Sequence, residues 1–186
     1  MIKRGEGKNA VLLLHGRGGT GEQIMQLANN FDAACYAISA PGNAWYPRPF
    51  NIPKENNEPE LSQSLKSVDE AVKELRKNHE KVYLVGFSQG ACLACEYASE
   101  NEVDGVVAFS GGLIGDEDEL SCEAQNSTNI IIGCSEKDPF IPLKRAKKTA
   151  QLFSQSGARV FTLFYPGESH HITPKEMEMA KMLINN

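Results

Sequence analysis

Residues 81–90 read Lys81-Val82-Tyr83-Leu84-Val85-Gly86-Phe87-Ser88-Gln89-Gly90. The run 81–87 is short, apolar and rich in β-formers, and residues 89–100 carry helical period, so a serine stands at a strand-to-helix turn with a glycine two residues to either side. Glycines at those places let strand and helix approach closely. The turn projects the hydroxyl from the end of the sheet, in front of a helix N-terminus that supplies a free amide and the positive end of a dipole. G-x-S-x-G in this setting marks Ser88 as a candidate nucleophile, although a serine there also suits a plain helix N-cap.

The pattern repeats outward in both directions. Five more short apolar runs occupy residues 11–15, 35–39, 105–110, 129–134 and 159–165. Most are continuous rather than alternating, as expected of parallel strands covered on both faces. Between them lie helix candidates at 21–30, 61–78, 89–100, 143–156 and 174–184. In the second of these, Leu61, Leu65, Val68, Val72 and Leu75 form a stripe of helical period. Alternating strand and helix predict an α/β fold with helices on both faces of the sheet. Two stretches interrupt the alternation. Residues 41–59 carry five prolines around Trp45, Tyr46 and Phe50 and read as a loop covering the edge of the core. Residues 111–127 begin with glycine and turn acidic, and read as a solvated excursion.

With 186 residues, 41% of them hydrophobic, the chain is long enough to bury one core without disulfide or metal staples, and residues 1–186 are expected to form one domain. The formal net charge of −5, with no basic run longer than Lys147-Lys148, argues against binding nucleic acid. The first apolar run, residues 10–14, is too short for a signal-peptide core or a membrane span, so no stable membrane insertion is expected. Five cysteines, an odd number without a secretory signal, read as free thiols in a reducing compartment, which predicts a cytoplasmic protein. No motif specifies an oligomeric state.

A serine hydroxyl is a poor nucleophile unless a base removes its proton, so a catalytic Ser88 requires a histidine and an acid, each placed after a later strand. Asp138 follows the run 129–134, with Glu136 as its rival, and the adjacent His170 and His171 follow the run 159–165. The order Ser, Asp, His is that of α/β hydrolases. Attack on an ester carbonyl also creates an oxyanion. Its donors are expected to be the amide of Gln89, next to the nucleophile, and one from the loop after the first strand.

The chain resembles the carboxylesterase and phospholipase family of α/β hydrolases, the group that includes acyl-protein thioesterases. The resemblance runs from about Val11 to the C-terminus. It is carried by Leu14-His15-Gly16-Arg17-Gly18, Gly86-Phe87-Ser88-Gln89-Gly90, Phe109-Ser110-Gly111, Asp138-Pro139-Phe140-Ile141-Pro142 and His170-His171-Ile172-Thr173-Pro174. It implies an α/β-hydrolase fold with a minimal, mostly parallel six-stranded sheet and a serine esterase or thioesterase without cofactor or metal. By the spacing of the resembled motif it implies His170 rather than His171 as the base, and it puts the second oxyanion donor at Arg17. A backbone amide does not depend on side-chain type, so the Arg17 side chain is free either to contact an anionic substrate group or simply to be exposed; relatives often carry an apolar residue there, which argues against a long-chain lipid substrate. The short sheet and proline-rich cover predict a small or medium ester substrate, with Trp45, Tyr46, Phe50 and Leu113 as pocket candidates.

Three other readings compete. Gly16-Arg17-Gly18-Gly19-Thr20-Gly21 fits the G-x-G-x-x-G cradle of a dinucleotide-binding oxidoreductase, but the next strand ends in Ser39-Ala40-Pro41 rather than in an acid for the ribose. Cys92-Leu93-Ala94-Cys95 places two thiols on the helix behind Ser88, where small residues packing on the sheet explain them without a metal. A catalytically inactive hydrolase fold used as a binding module is the third. His15 is expected to be buried and bonded to backbone, and His79 to be exposed at a helix end.

Overall fold

The computed structural model describes residues 1–124 and 128–185. Seven strands form one sheet: β1 (Ile2–Arg4), β2 (Asn9–Leu14), β3 (Ala34–Ile38), β4 (Lys81–Phe87), β5 (Gly105–Phe109), β6 (Asn129–Ser135) and β7 (Arg159–Tyr165). Their order is β1-β3-β2-β4-β5-β6-β7. All neighbours are parallel except β1, which runs antiparallel to β3. The six-stranded expectation is therefore corrected to seven. Strand β1 has only three residues, Ile-Lys-Arg, two of them exposed, so it carries no apolar run that a periodicity reading would detect. A short, charged edge strand also discourages pairing with other chains.

The helices are α1 (Gly21–Ile24), α2 (Glu60–Leu75), α3 (Gln89–Glu100), α4 (Leu143–Gln155) and α5 (Pro174–Ile184). The first is a single turn that continues as a 3₁₀ helix, Met25–Asn30, where a longer α-helix was expected. Along the central strands, side chains alternate between two cores. Ala10, Leu12, Leu14, Val82, Leu84, Val106, Ala108, Ile130 and Ile132 face α2, α3 and α4. Val11, Leu13, Tyr83, Val85, Val107, Phe109 and Ile131 face α1, the 3₁₀ turn and α5. Both sets are apolar, which is why these strands read as unbroken hydrophobic runs. Strand β7 departs from that expectation: it is the far edge, and all seven of its residues are half-buried or exposed. Among the described residues no helix is long and apolar enough to cross a membrane.

The chain leaves β2 for β3 on one side and returns to β4 on the other, so the connections after β2 and β4 diverge at adjacent carboxyl ends. A crevice forms at such a reversal, and ligands of open α/β sheets bind there. The loops bearing Arg17 and Ser88 meet at this point.

The two irregular stretches are more ordered than their composition suggests. Within 41–59, Trp45 and Tyr46 are buried, and the segment closes over the top of the sheet. Gly111 to Gly115 are buried too, which corrects the expectation of a solvated excursion over that part. Arg145 of α4, itself buried, donates to the carbonyls of Leu113 and Gly115 at 2.8 and 2.9 Å and supplies the polar partners this inward loop needs. The acidic turn Glu117–Glu119 is solvated, and the final residues of the expected excursion, 125–127, lie outside the described residues.

Candidate active site

Ser88 sits between β4 and α3 with φ of 55° and ψ of −119°, a left-handed conformation rare for a residue bearing a side chain. Its neighbours permit the bend. A methyl group at Gly86 would collide with the backbone of Gly90 and Ala91, and one at Gly90 with the carbonyls of Leu14 and His15. Although Ser88 occupies the N-cap position of α3, its hydroxyl makes no capping hydrogen bond, so the plain-cap reading finds no support. The hydroxyl lies 2.9 Å from Nε2 of His170.

His170 Nδ1 lies 2.8 and 3.0 Å from the two carboxylate oxygens of Asp138. A carboxylate only accepts, so Nδ1 carries the proton and Nε2 is left to accept from Ser88. The loop holding the imidazole is fastened at both ends. Before it, the Ser135 hydroxyl donates to the Ser169 carbonyl at 2.8 Å. After it, Thr173 and the buried Glu176 form the reciprocal capping box that starts α5. Phe87 and Phe140 flank the ring, each with its centroid 4.8 Å away. His171 is exposed and Glu136 lies on the surface, so neither joins the cluster.

The Asp138 side chain is fully buried. Burial alone would raise its pKa, but hydrogen bonds from His170 and from the amides of Ile141 and Phe140 outweigh it, and the carboxyl titrates below the ordinary aspartate value. A depressed folded-state pKa stabilises the fold above the unfolded value of about 3.9, and that contribution is lost as pH falls through the lower folded value. The stability gap between wild type and Asp138→Asn, measured by urea unfolding, is therefore expected to be widest above about pH 4 and to narrow below it. A gap independent of pH would contradict this account.

The amide of Gln89 is the first N–H of α3 and has no acceptor within the helix. The loop after β2 brings Arg17 to the same opening. A cavity of about 440 Å³ lies over Ser88 and His170, lined by Gly16, Arg17, Tyr46, Arg48, Phe50 and Phe87 among others. Of the four pocket candidates, Tyr46 and Phe50 line this cavity. Trp45 and Leu113 do not. The Trp45 indole points into the core and donates to the His15 carbonyl at 2.8 Å, and the Leu113 amide is held by the Thr149 hydroxyl at 2.9 Å, packing that residue beneath α4.

The cavity also includes Arg48, Pro49, Asn51, Phe140 and Ile141, none of them predicted as pocket residues. Arg48 to Asn51 belong to the same proline-rich stretch as Trp45 and Tyr46, and that clustering of aromatics and prolines was the only sequence signal for them. A further role escaped the sequence reading. The Gln89 side chain accepts from the Trp45 amide at 3.0 Å and donates to the Tyr46 carbonyl at 2.7 Å, tying the covering loop to the turn that bears Ser88.

The glycine-rich loop 16–21 does not present a phosphate cradle. Four of its amides bond within the protein: Gly18 to the Asn43 carbonyl, Gly19 to that of Gly16, Thr20 to the Gln23 side chain and Gly21 to the Ser39 hydroxyl. His15 is buried, accepting at Nε2 from the Ala40 amide and bonded at Nδ1 to the Gly16 carbonyl. His79 is half-buried rather than exposed, because Tyr36 reaches it at 2.9 Å. Cys92 and Cys95 are buried in α3, and burial pushes the Cys92 thiol up to about 11, so both pack as neutral side chains. Among the described residues no group of three or more His, Cys, Asp or Glu is arranged to hold a metal.

Residues 2–186 match the family model described as Phospholipase/Carboxylesterase. The crystal structure of a phospholipase/carboxylesterase from Dyadobacter fermentans is 35% identical and superposes with a TM-score of 0.90, covering 98% of this chain and 94% of that one. Acyl-protein thioesterase 1 of Gibberella zeae is 27% identical over 111 residues, 56% of this chain and 47% of the thioesterase, so that match spans about half of the relative's length. MhqD of Bacillus subtilis is 25% identical over 97% of this chain and 94% of its own.

Proposed function

The chain belongs to the phospholipase/carboxylesterase family, and from that premise we propose that it is a serine hydrolase cleaving carboxylic esters or thioesters of small or medium size through an acyl-enzyme on Ser88. The observation that carries this reading is the unbroken line of hydrogen bonds from the Ser88 hydroxyl through His170 to the buried carboxylate of Asp138.

In the proposed reaction His170 Nε2 takes the Ser88 proton as Oγ attacks the carbonyl carbon. Asp138 holds the imidazole in the tautomer that makes this possible and stabilises the imidazolium that results. The amides of Arg17 and Gln89 receive the oxyanion, each worth about 3 kcal/mol to the transition state. The protonated His170 then gives its proton to the departing alkoxide or thiolate, leaving an ester on Ser88. A water molecule, deprotonated by the same imidazole, hydrolyses that ester and returns the proton to Ser88. Residues 1–186 act together as one catalytic domain in this reading, and the five unpaired cysteines favour a cytoplasmic setting.

A fluorophosphonate probe followed by peptide mapping tests the proposal directly. Covalent labelling is expected at Ser88 alone and should vanish in Ser88→Ala. Labelling elsewhere would overturn the mechanism, and no labelling together with no ester turnover would favour a hydrolase fold used for binding.

A further inference from the structure

The cavity over Ser88 is walled largely by apolar and aromatic side chains, yet it has two cations and no carboxylate on its lining: Arg17 and Arg48. Both are exposed. Among the described residues neither pairs with an acid. In a chain with formal net charge −5, this opening carries the opposite sign from the molecule as a whole.

Arg17 is also held in place. Its Nη2 donates to the carbonyls of Tyr46 and Arg48 at 2.7 and 3.2 Å, and its guanidinium stands 6.0 Å from the centre of the Tyr46 ring. A guanidinium has five N–H donors, so those on Nε and Nη1 remain to be offered to a ligand. Arg48 is carried on backbone that Asn57 clamps. That fully buried side chain accepts from the Arg48 amide at 2.8 Å and donates to the Pro49 carbonyl at 3.1 Å. The anchored Arg17 guanidinium has already lost part of the freedom that binding would otherwise remove, Arg48 adds a second charge from a backbone fixed in place, and a planar guanidinium fork matches the oxygens of carboxylate and phosphate.

We propose that the substrates of this site are esters bearing a carboxylate or phosphate group near the scissile bond, recognised by Arg17 and Arg48. The proposal rests on the serine-hydrolase reading and names the substrate class of that same site.

Matched esters differing in one charge test it. 4-Acetoxybenzoate against its methyl ester places a carboxylate on the alcohol side, 4-nitrophenyl monoadipate against its methyl ester places one on the acyl side, and 4-acetoxyphenyl phosphate against its dimethyl ester supplies a phosphate. Each kcat/KM is divided by the rate constant for hydroxide, which removes differences in intrinsic reactivity. In at least one pair the anionic ester is expected to be favoured about tenfold or more, with the advantage shrinking as sodium chloride is raised. The preferred pair identifies the anion and its side. In Arg17→Gln and Arg48→Gln that ratio, taken within each variant, is expected to fall several-fold, while circular dichroism and an unchanged melting temperature show that each variant is folded. Ratios at or below one in all three pairs, or a preference unchanged in both variants, overturn the proposal. Failure to hydrolyse any of the six esters would instead remove the hydrolase reading and the proposal with it.

Discussion

Ser88→Ala is expected to lower hydrolysis of 4-nitrophenyl acetate by about 10⁵- to 10⁶-fold, to a residue sustained only by the oxyanion donors and binding. The reason is specific to this geometry. Among the described residues the Ser88 hydroxyl is the hydrogen-bond partner of His170 Nε2, and it contributes nothing to capping α3, so its removal is expected to cost chemistry rather than structure. The melting temperature should therefore stay close to that of wild type. His170→Ala should match it, and the double variant should be little worse than either single one, because the members act as a unit. His171→Ala should stay near wild type, since its side chain is exposed and its recorded bond, from the Tyr165 hydroxyl, is to the backbone carbonyl. The opposite outcome, an active His170→Ala and an inactive His171→Ala, would show the base to be misassigned.

The largest loss of stability is expected at Gly90→Ala. Alanine is the best helix former, so propensity alone would make this change stabilising by about 1 kcal/mol. The structure reverses the sign. The new methyl would press into the carbonyls of Leu14 and His15 at the end of β2, and these are backbone atoms of the central sheet that cannot turn aside. A cost of about 3 kcal/mol or more follows, near the upper end for overpacking, and for a chain of this size it corresponds to a fall of about 6–12 °C in melting temperature. Gly18→Ala is the control. Its φ of 78° disfavours a side chain, but nothing lies within 4 Å of the added carbon, so about 1–2 kcal/mol is expected. Urea titration of the two variants separates close approach from backbone conformation; equal losses would refute the distinction.

The contrast between the two glycines shows how far the residues could be read unaided. The elbow was legible because a single chemical demand, a nucleophile on a tight turn, imposes glycines at fixed offsets within five adjacent residues. The central strands were legible because both their faces are buried, which forces continuous apolar runs. Strand β1 was not, since an edge of Ile-Lys-Arg leaves no pattern. Trp45 and Leu113 were misplaced because a large apolar residue in a loop serves equally well as pocket wall or as core. What separates the two is the direction in which the side chain points, and that depends on partners far along the chain, His15 and Thr149.

By itself the sequence determined the α/β class, the turn bearing Ser88 and the two loops from which an acid and a base must come, because these rest on periodicity and on local backbone chemistry. The resembled motif already pointed to His170 over His171, but only the tertiary structure decided that Glu136 stays on the surface and that Arg17 and Arg48 share one opening. Each of those outcomes depends on distances between residues widely separated along the chain, set by packing of loops onto the ends of parallel strands, and no local pattern encodes them.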